Sequence, residues 1–153
     1  MNNKYFTDEE ISFDDLFFMC YMVERVSRKI KQHNSYVVNK INKKQMYHLI
    51  SNAQVLHYLN PLQVEDDWIT EYNLESSNYD ISKINPELCE TIPTCSDMGK
   101  VYACLIDSVT DDYVEGIMTV YNSELCKVID NYNSSAYYEP SYVISRAYLN
   151  NGF

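Results

Sequence analysis

Glycine and proline are scarce in this chain, 3 and 4 among 153 residues. An all-β fold turns tightly and often, and turns draw on these two residues, so the scarcity speaks against one. It suits helices joined by short polar connections. Long apolar runs are also missing. The longest, Leu16 to Val23, is far short of the roughly 20 residues that span a bilayer. The opening MNNKYFTDEEIS carries three acids and no apolar stretch, which reads as neither a secretory signal nor a transit peptide. The expected location is the cytoplasm. Cysteines that pair off are not indicated either. Cys20, Cys89, Cys95, Cys104 and Cys126 are odd in number, which suits reduced thiols. In that compartment the acceptor motif Asn133-Ser134-Ser135 carries no meaning.

Basic charge is in deficit: 12 Lys and Arg stand against 22 Asp and Glu, a net −10. That balance disfavours broad nucleic-acid binding. The cations are unevenly spread. Arg25, Arg28, Lys29, Lys31, Lys40, Lys43 and Lys44 lie in one segment without an acid, so the remaining five bases face all 22 acids, or −17. Catalytic signatures are likewise missing. The three histidines, His33, His48 and His57, form no HExxH pair. Cys89 and Cys95 are spaced too widely for a zinc knuckle. There is no Gly-x-Ser-x-Gly and no phosphate-cradling glycine loop. The acidic pairs Asp66-Asp67 and Asp111-Asp112 read as helix starts, because neighbours on a helix do not face each other. The expectation is no enzyme, no bound metal and no cofactor.

What is present is apolar periodicity. Hydrophobic residues make up 46%, too many for a disordered chain. A chain of 153 residues fits one domain or two small packed units and needs no staple to fold. Leu16, Met19, Cys20, Val23, Val26 and Ile30 recur at helical steps after an acidic entry at Asp8 to Asp15. A short helix is expected over Ser35 to Ile41, and a longer one from Lys43 to Leu56. Asn60-Pro61 ends it and opens another, with Val64, Trp68 and Ile69 inward. Residues 75–96 read as a long connection with one helical turn after Pro86. Helices then restart at Asp97, with a face of Val101, Cys104, Leu105 and Val109. Tyr113 to Tyr121, Ser123 to Tyr132 and a helix opened by Glu139-Pro140 complete the pattern.

The reading is an all-α fold: a compact domain of two helix–short helix–helix–helix units, 1–74 and 97–153, joined by 75–96. The halves share a pattern. Met46, Leu49, Ile50, Tyr58, Pro61 and Val64 fall on Leu125, Val128, Ile129, Tyr137, Pro140 and Val143 at one offset. Cys20 to Val26 falls on Ala103 to Val109 at another, so this alignment needs a gap.

The segments FMCYMVERVSRKI and QVLHYLNPLQVEDDWI, with VYNSELCKVIDNYNSSAYYEPSYV in the second half, resemble a family of small uncharacterised helical domains of Firmicutes. Val23-Glu24, Leu56-His57-Tyr58 and Glu65-Asp66-Asp67-Trp68-Ile69 stand where that family has its motifs. Its members are often encoded beside an ADP-ribosyltransferase-like protein, in an arrangement similar to a toxin–antitoxin pair. The resemblance implies a protein partner rather than catalysis.

The residues themselves leave several partners open. The 15 tyrosines are unusual, and Tyr132, Tyr137, Tyr138, Tyr142 and Tyr148 crowd one stretch. Tyrosine is enriched at interfaces. With the seven cations, Tyr132, Tyr137, Tyr138 and Tyr142 are the candidate partner-binding residues. The leading expectation is a non-catalytic protein-binding module, antitoxin-like or self-associating. One alternative is an acidic inhibitor that imitates nucleic acid. Another is a nucleic-acid-binding regulator using the basic segment. The third reading of that segment is a solvated helix face.

Overall fold

The computed structural model describes residues 1–153 as nine α-helices with no strand beyond a single bridge, Asn2 to Glu10. The helices are α1 Phe13–Ile30, α2 Asn34–Ile41, α3 Lys43–Ser51, α4 Ala53–Leu56, α5 Pro61–Glu71, α6 Cys95–Val109, α7 Tyr113–Val120, α8 Glu124–Asp130 and α9 Ser141–Leu149. Two short 3₁₀ turns, Tyr132–Ser134 and Ala136–Tyr138, stand between α8 and α9. No helix is long and apolar enough to cross a membrane.

Local chemistry sets the ends. Ser12 and Asp15 form a reciprocal capping box at α1, and Thr94 and Asp97 form the same box at α6. Pro61 occupies the first turn of α5 behind the cap Asn60. At the far end of α1, Lys31 turns left-handed (φ 54°) and closes the last carbonyls. Two boundaries depart from the pattern. The helix expected over Lys43 to Leu56 is interrupted at Asn52, whose side-chain amide donates to the carbonyl of His48 and competes with the backbone ladder. The second unit starts at Cys95 rather than Asp97, because Asp97 is the third residue of the capping box and not the cap.

The core forms around α1 and α6, which pack along each other and run antiparallel. Arg28, near the end of α1, meets Pro93 just before α6, and Met1 lies beside Tyr113 at the start of α7. Gly99 permits this approach. A Cβ there would stand 2.9 Å from the backbone of Tyr21. The buried face of α6 is Met98, Gly99, Tyr102, Ala103, Leu105 and Ile106. It is rotated from the expected Val101, Cys104, Leu105, Val109 face, because the close approach at Gly99 sets the side of α6 that meets α1. Around this pair, α2 and α5 pack on α1, and α7 and α9 pack on α6.

The two sets of helices keep a constant displacement. Tyr113–Val120 lies 79 residues (113 − 34) beyond Asn34–Ile41, and the ends of α1, α3 and their counterparts α6, α8 keep the same 79. Pro140 likewise stands 79 beyond Pro61. The alignment of Cys20 with Ala103 is therefore one helical turn out of register, and no gap is needed.

Candidate functional site

The basic segment does not form one free patch. The guanidinium of Arg25 pairs with Glu65 of α5 and donates to the Tyr21 hydroxyl at 2.8 Å. Arg28 donates to the Pro93 carbonyl and the Tyr132 hydroxyl, both at 2.7 Å. Lys29 reaches Asp66 at 2.8 Å, and Lys43 pairs with Glu115 of α7. Four of the seven cations thus tie segments together within the chain. The acids they meet lie on helices that fold back against α1 and α3, so the charges separated in sequence are neighbours in space. Lys31, Lys40 and Lys44 are exposed and make no ion pair.

The tyrosine cluster divides as well. Tyr132 is buried in the core and accepts from Arg28, so it is not a contact residue. Tyr137 is half-buried, edge-on to Tyr132 and beside the Cys89 thiol. Tyr138 and Tyr142 are exposed, at 80% and 64%.

Two features escaped the sequence reading. The first is an apolar corner between α4 and α5. Val55, Tyr58, Leu59 and Leu62 are all exposed there, Tyr58 at 92%. The corner lies next to the exposed acids Asp66 and Asp67 on α5. Residues 59 and 63 correspond to Tyr138 and Tyr142 at the 79-residue displacement, so both units present bulky side chains at this corner.

The second is a polar cluster at the joint of the units. Glu24 of α1, Asn34 of α2 and Asp130 of α8 are buried together. The Asn34 side-chain amide donates to Glu24 Oε1 at 3.2 Å and to Asp130 Oδ2 at 2.9 Å. The Tyr102 hydroxyl donates to Asp130 Oδ1 at 2.5 Å, and the Cys126 thiol reaches Asp130 Oδ2 at 3.4 Å. Neither carboxyl has an ion-pair partner within 4.0 Å. Burial, then the charge of Asp130, pushes Glu24 well above the ordinary carboxyl range. Burial also raises Asp130, against the hydrogen bonds from Tyr102, Cys126 and Asn34. Burial and Asp130 hold Cys126 as a neutral thiol, which leaves it inert as a nucleophile.

No protein-family model matches this chain, and neither a curated protein nor a solved structure does.

The cluster opens to the surface through a cleft of about 500 Å³, with Asn34, Cys126 and Asp130 in its floor. His33 and Tyr79 stack face to face along its wall, ring centroids 3.7 Å apart. No group of three or more His, Cys, Asp or Glu side chains converges as a metal site would. One signal of the cluster was legible: Glu24 lies one turn beyond Cys20 on an otherwise apolar face. Its companions, Asn34 at 10 residues from Glu24 and Asp130 at 96 residues from Asn34, were not.

Proposed function

We propose that this chain is a non-catalytic protein-binding module that docks a partner on the corner between α4 and α5, in the manner of an antitoxin. The observation that carries the reading is the exposure of Val55, Tyr58, Leu59 and Leu62 within eight residues. Water contact at four large apolar side chains costs free energy, and contiguous patches of this kind mark interaction sites. Tyrosine at the centre of such a patch is a frequent binding anchor. The equivalent corner of the second unit, with Tyr138 and Tyr142, offers a second contact of the same kind. The resemblance in the sequence supports a partner encoded nearby.

The test is capture of the product of the neighbouring gene by the intact chain and by a variant carrying Tyr58→Asp and Leu62→Asp. The variant should fold, since both positions are exposed, and circular dichroism checks this. Binding should weaken at least about ten-fold, the loss of one strong anchor. Equal capture by wild type and variant, or no capture by wild type, defeats the reading.

A second reading rests on a different surface. Glu10, Asp107 and Asp111 converge around Tyr113, whose hydroxyl donates to Asp107 at 2.6 Å and is held at about 12 by burial and these acids. This acidic edge supports an inhibitor that imitates nucleic acid, and competition with DNA for a basic nuclease channel tests it. A nucleic-acid-binding regulator has the least support, because Arg25, Arg28, Lys29 and Lys43 are tied within the chain.

A further inference from the structure

We propose that the cleft between α2 and α8 binds a small organic cation, whose ammonium or guanidinium group seats on Asp130 and Asn34. This goes beyond the docking corner and does not depend on it.

Among the groups at the floor, the donors in use are the Asn34 amide, the Tyr102 hydroxyl and the Cys126 thiol, while the buried Tyr121 hydroxyl in the same cleft has no hydrogen-bond partner. The three in use are already directed at the carboxyls. The acceptors outnumber them. Asp130 can accept at about four sites, Glu24 with its proton keeps some acceptor capacity beside one O–H donor, and the Asn34 carbonyl adds two. The Asn34 carbonyl receives only a thiol at 3.5 Å, a long and weak contact. Asn34 is 4% exposed and lines the cleft, so its oxygen is a buried acceptor left nearly unused.

Charge points the same way. A buried carboxylate is ordinarily paired with a cation. No cation lies within ion-pair distance of Asp130. Arg28 directs its fork to Pro93 and Tyr132, and Lys127 on the rim is held by Glu124 at 3.1 Å. A guanidinium brings five N–H donors and an ammonium three, which matches a site rich in acceptors and poor in donors. The stacked His33 and Tyr79 present aromatic surface beside it, which favours a cation further. The volume of about 500 Å³ falls in the range of small-molecule sites.

The same fold supplies a contrast. At the equivalent place in the first unit, Lys43, Lys44 and Tyr47 replace Asn122, Ser123 and Cys126, and Lys4 joins them around a shallower concavity of about 400 Å³. The acidic floor is therefore particular to one joint rather than a requirement of the helix arrangement.

The experiment titrates the full chain at neutral pH and low salt with methylguanidinium and n-butylammonium, each against its neutral counterpart, methylurea and n-butanol. Binding is followed by calorimetry and by amide chemical shifts. Both cations should saturate, with the largest shifts at Asn34, Cys126 and Asp130, and the neutral compounds should not bind at the same concentrations. Asp130→Asn should lose at least about ten-fold in affinity, as for a hydrogen bond to a charged group. His33→Ala, on the exposed wall, should lose about two- to five-fold without disturbing the core. It keeps the proposal testable should Asp130→Asn fail to fold. The Tyr58→Asp, Leu62→Asp variant should bind the cations as wild type does, which separates this site from the docking corner. Absence of saturation by either cation, equal binding of the neutral compounds, or undiminished binding by both cleft variants overturns it.

Discussion

The first and second units place the same helices 79 residues apart and bury nearly the same positions, yet their joints are opposite in character. Glu24 stands where the second unit has Ala103, Asn34 where it has Tyr113, and Asp130 where the first has Ser51. Lysines line one joint and a buried acid floors the other. A shared helical frame thus tolerates very different chemistry at equivalent positions, as long as each polar group finds hydrogen bonds. The frame itself depends on pairs such as Met19 and Met98, Val26 and Leu105, Val38 and Ile117, and Ile50 and Ile129, which are buried and apolar in both units. What differs between the units is where a distinct function would reside.

The largest test of this comparison is at the last helix of each unit. Trp68 is buried on α5, and its counterpart on α9 is Ala147. Trp68→Ala should cost about 3–5 kcal/mol in urea unfolding, from lost burial and the cavity left behind. A loss below about 1 kcal/mol would mean that α5 needs no more filling than α9, and the two units would be energetically alike. Next is the contact that joins them. Gly99→Ala drives a Cβ into the backbone of Tyr21 and should cost about 1–3 kcal/mol. Gly116→Ala meets the side-chain methyls of Ile106 and Thr110, and the gain in helix propensity of about 1 kcal/mol offsets part of that clash. The first variant should therefore be the more destabilised of the two.

The polar joint is tested through pH. Around Glu24 lie Asp130 of α8, Arg28 and Cys20 of α1, Tyr102 of α6, and Tyr121 after α7. In the folded chain Glu24 keeps its proton above the ordinary carboxyl range, and in the unfolded chain it does not. The folded state then binds the extra proton, so stability falls as pH rises from the ordinary range through the raised pKa. The slope is about 1.4 kcal/mol per pH unit for one proton. Glu24→Gln keeps the acceptor for Asn34 and removes the titration. Its urea midpoint should decline less than that of wild type over pH 5 to 8, with only the titration of Asp130 remaining. Parallel curves would show that Glu24 does not carry the pH dependence.

Much of the frame was legible because helices announce themselves through spacing and punctuation. Pro61, the short α2 and the turn at residues 133–135 read directly from the chain. The break at Asn52 was missed because an apolar face continued through Ala53 and Leu56 while a side-chain amide captured the carbonyl before it. The face of α6 was misread because weighting by apolar size overlooks a glycine that lets two backbones touch. Of the polar joint only Glu24, on an otherwise apolar face of α1, could be read. The joint gathers Glu24, Asn34, Tyr102 and Asp130 from four helices, and only tertiary packing brings them together. The basic segment looked free for the same reason, since its acids arrive from α5 and α7.

The antiparallel pairing of α1 with α6 sets a timetable for the chain as it leaves the ribosome. The apolar face of α1 has its main cover in α6, about 79 residues later in the sequence. At roughly 5–20 residues per second, that interval is about 4–16 seconds. Throughout it, Leu16, Met19 and Val23 remain uncovered by α6, and a nascent first unit presents the stickiest surface of the molecule to chaperones before its second half exists.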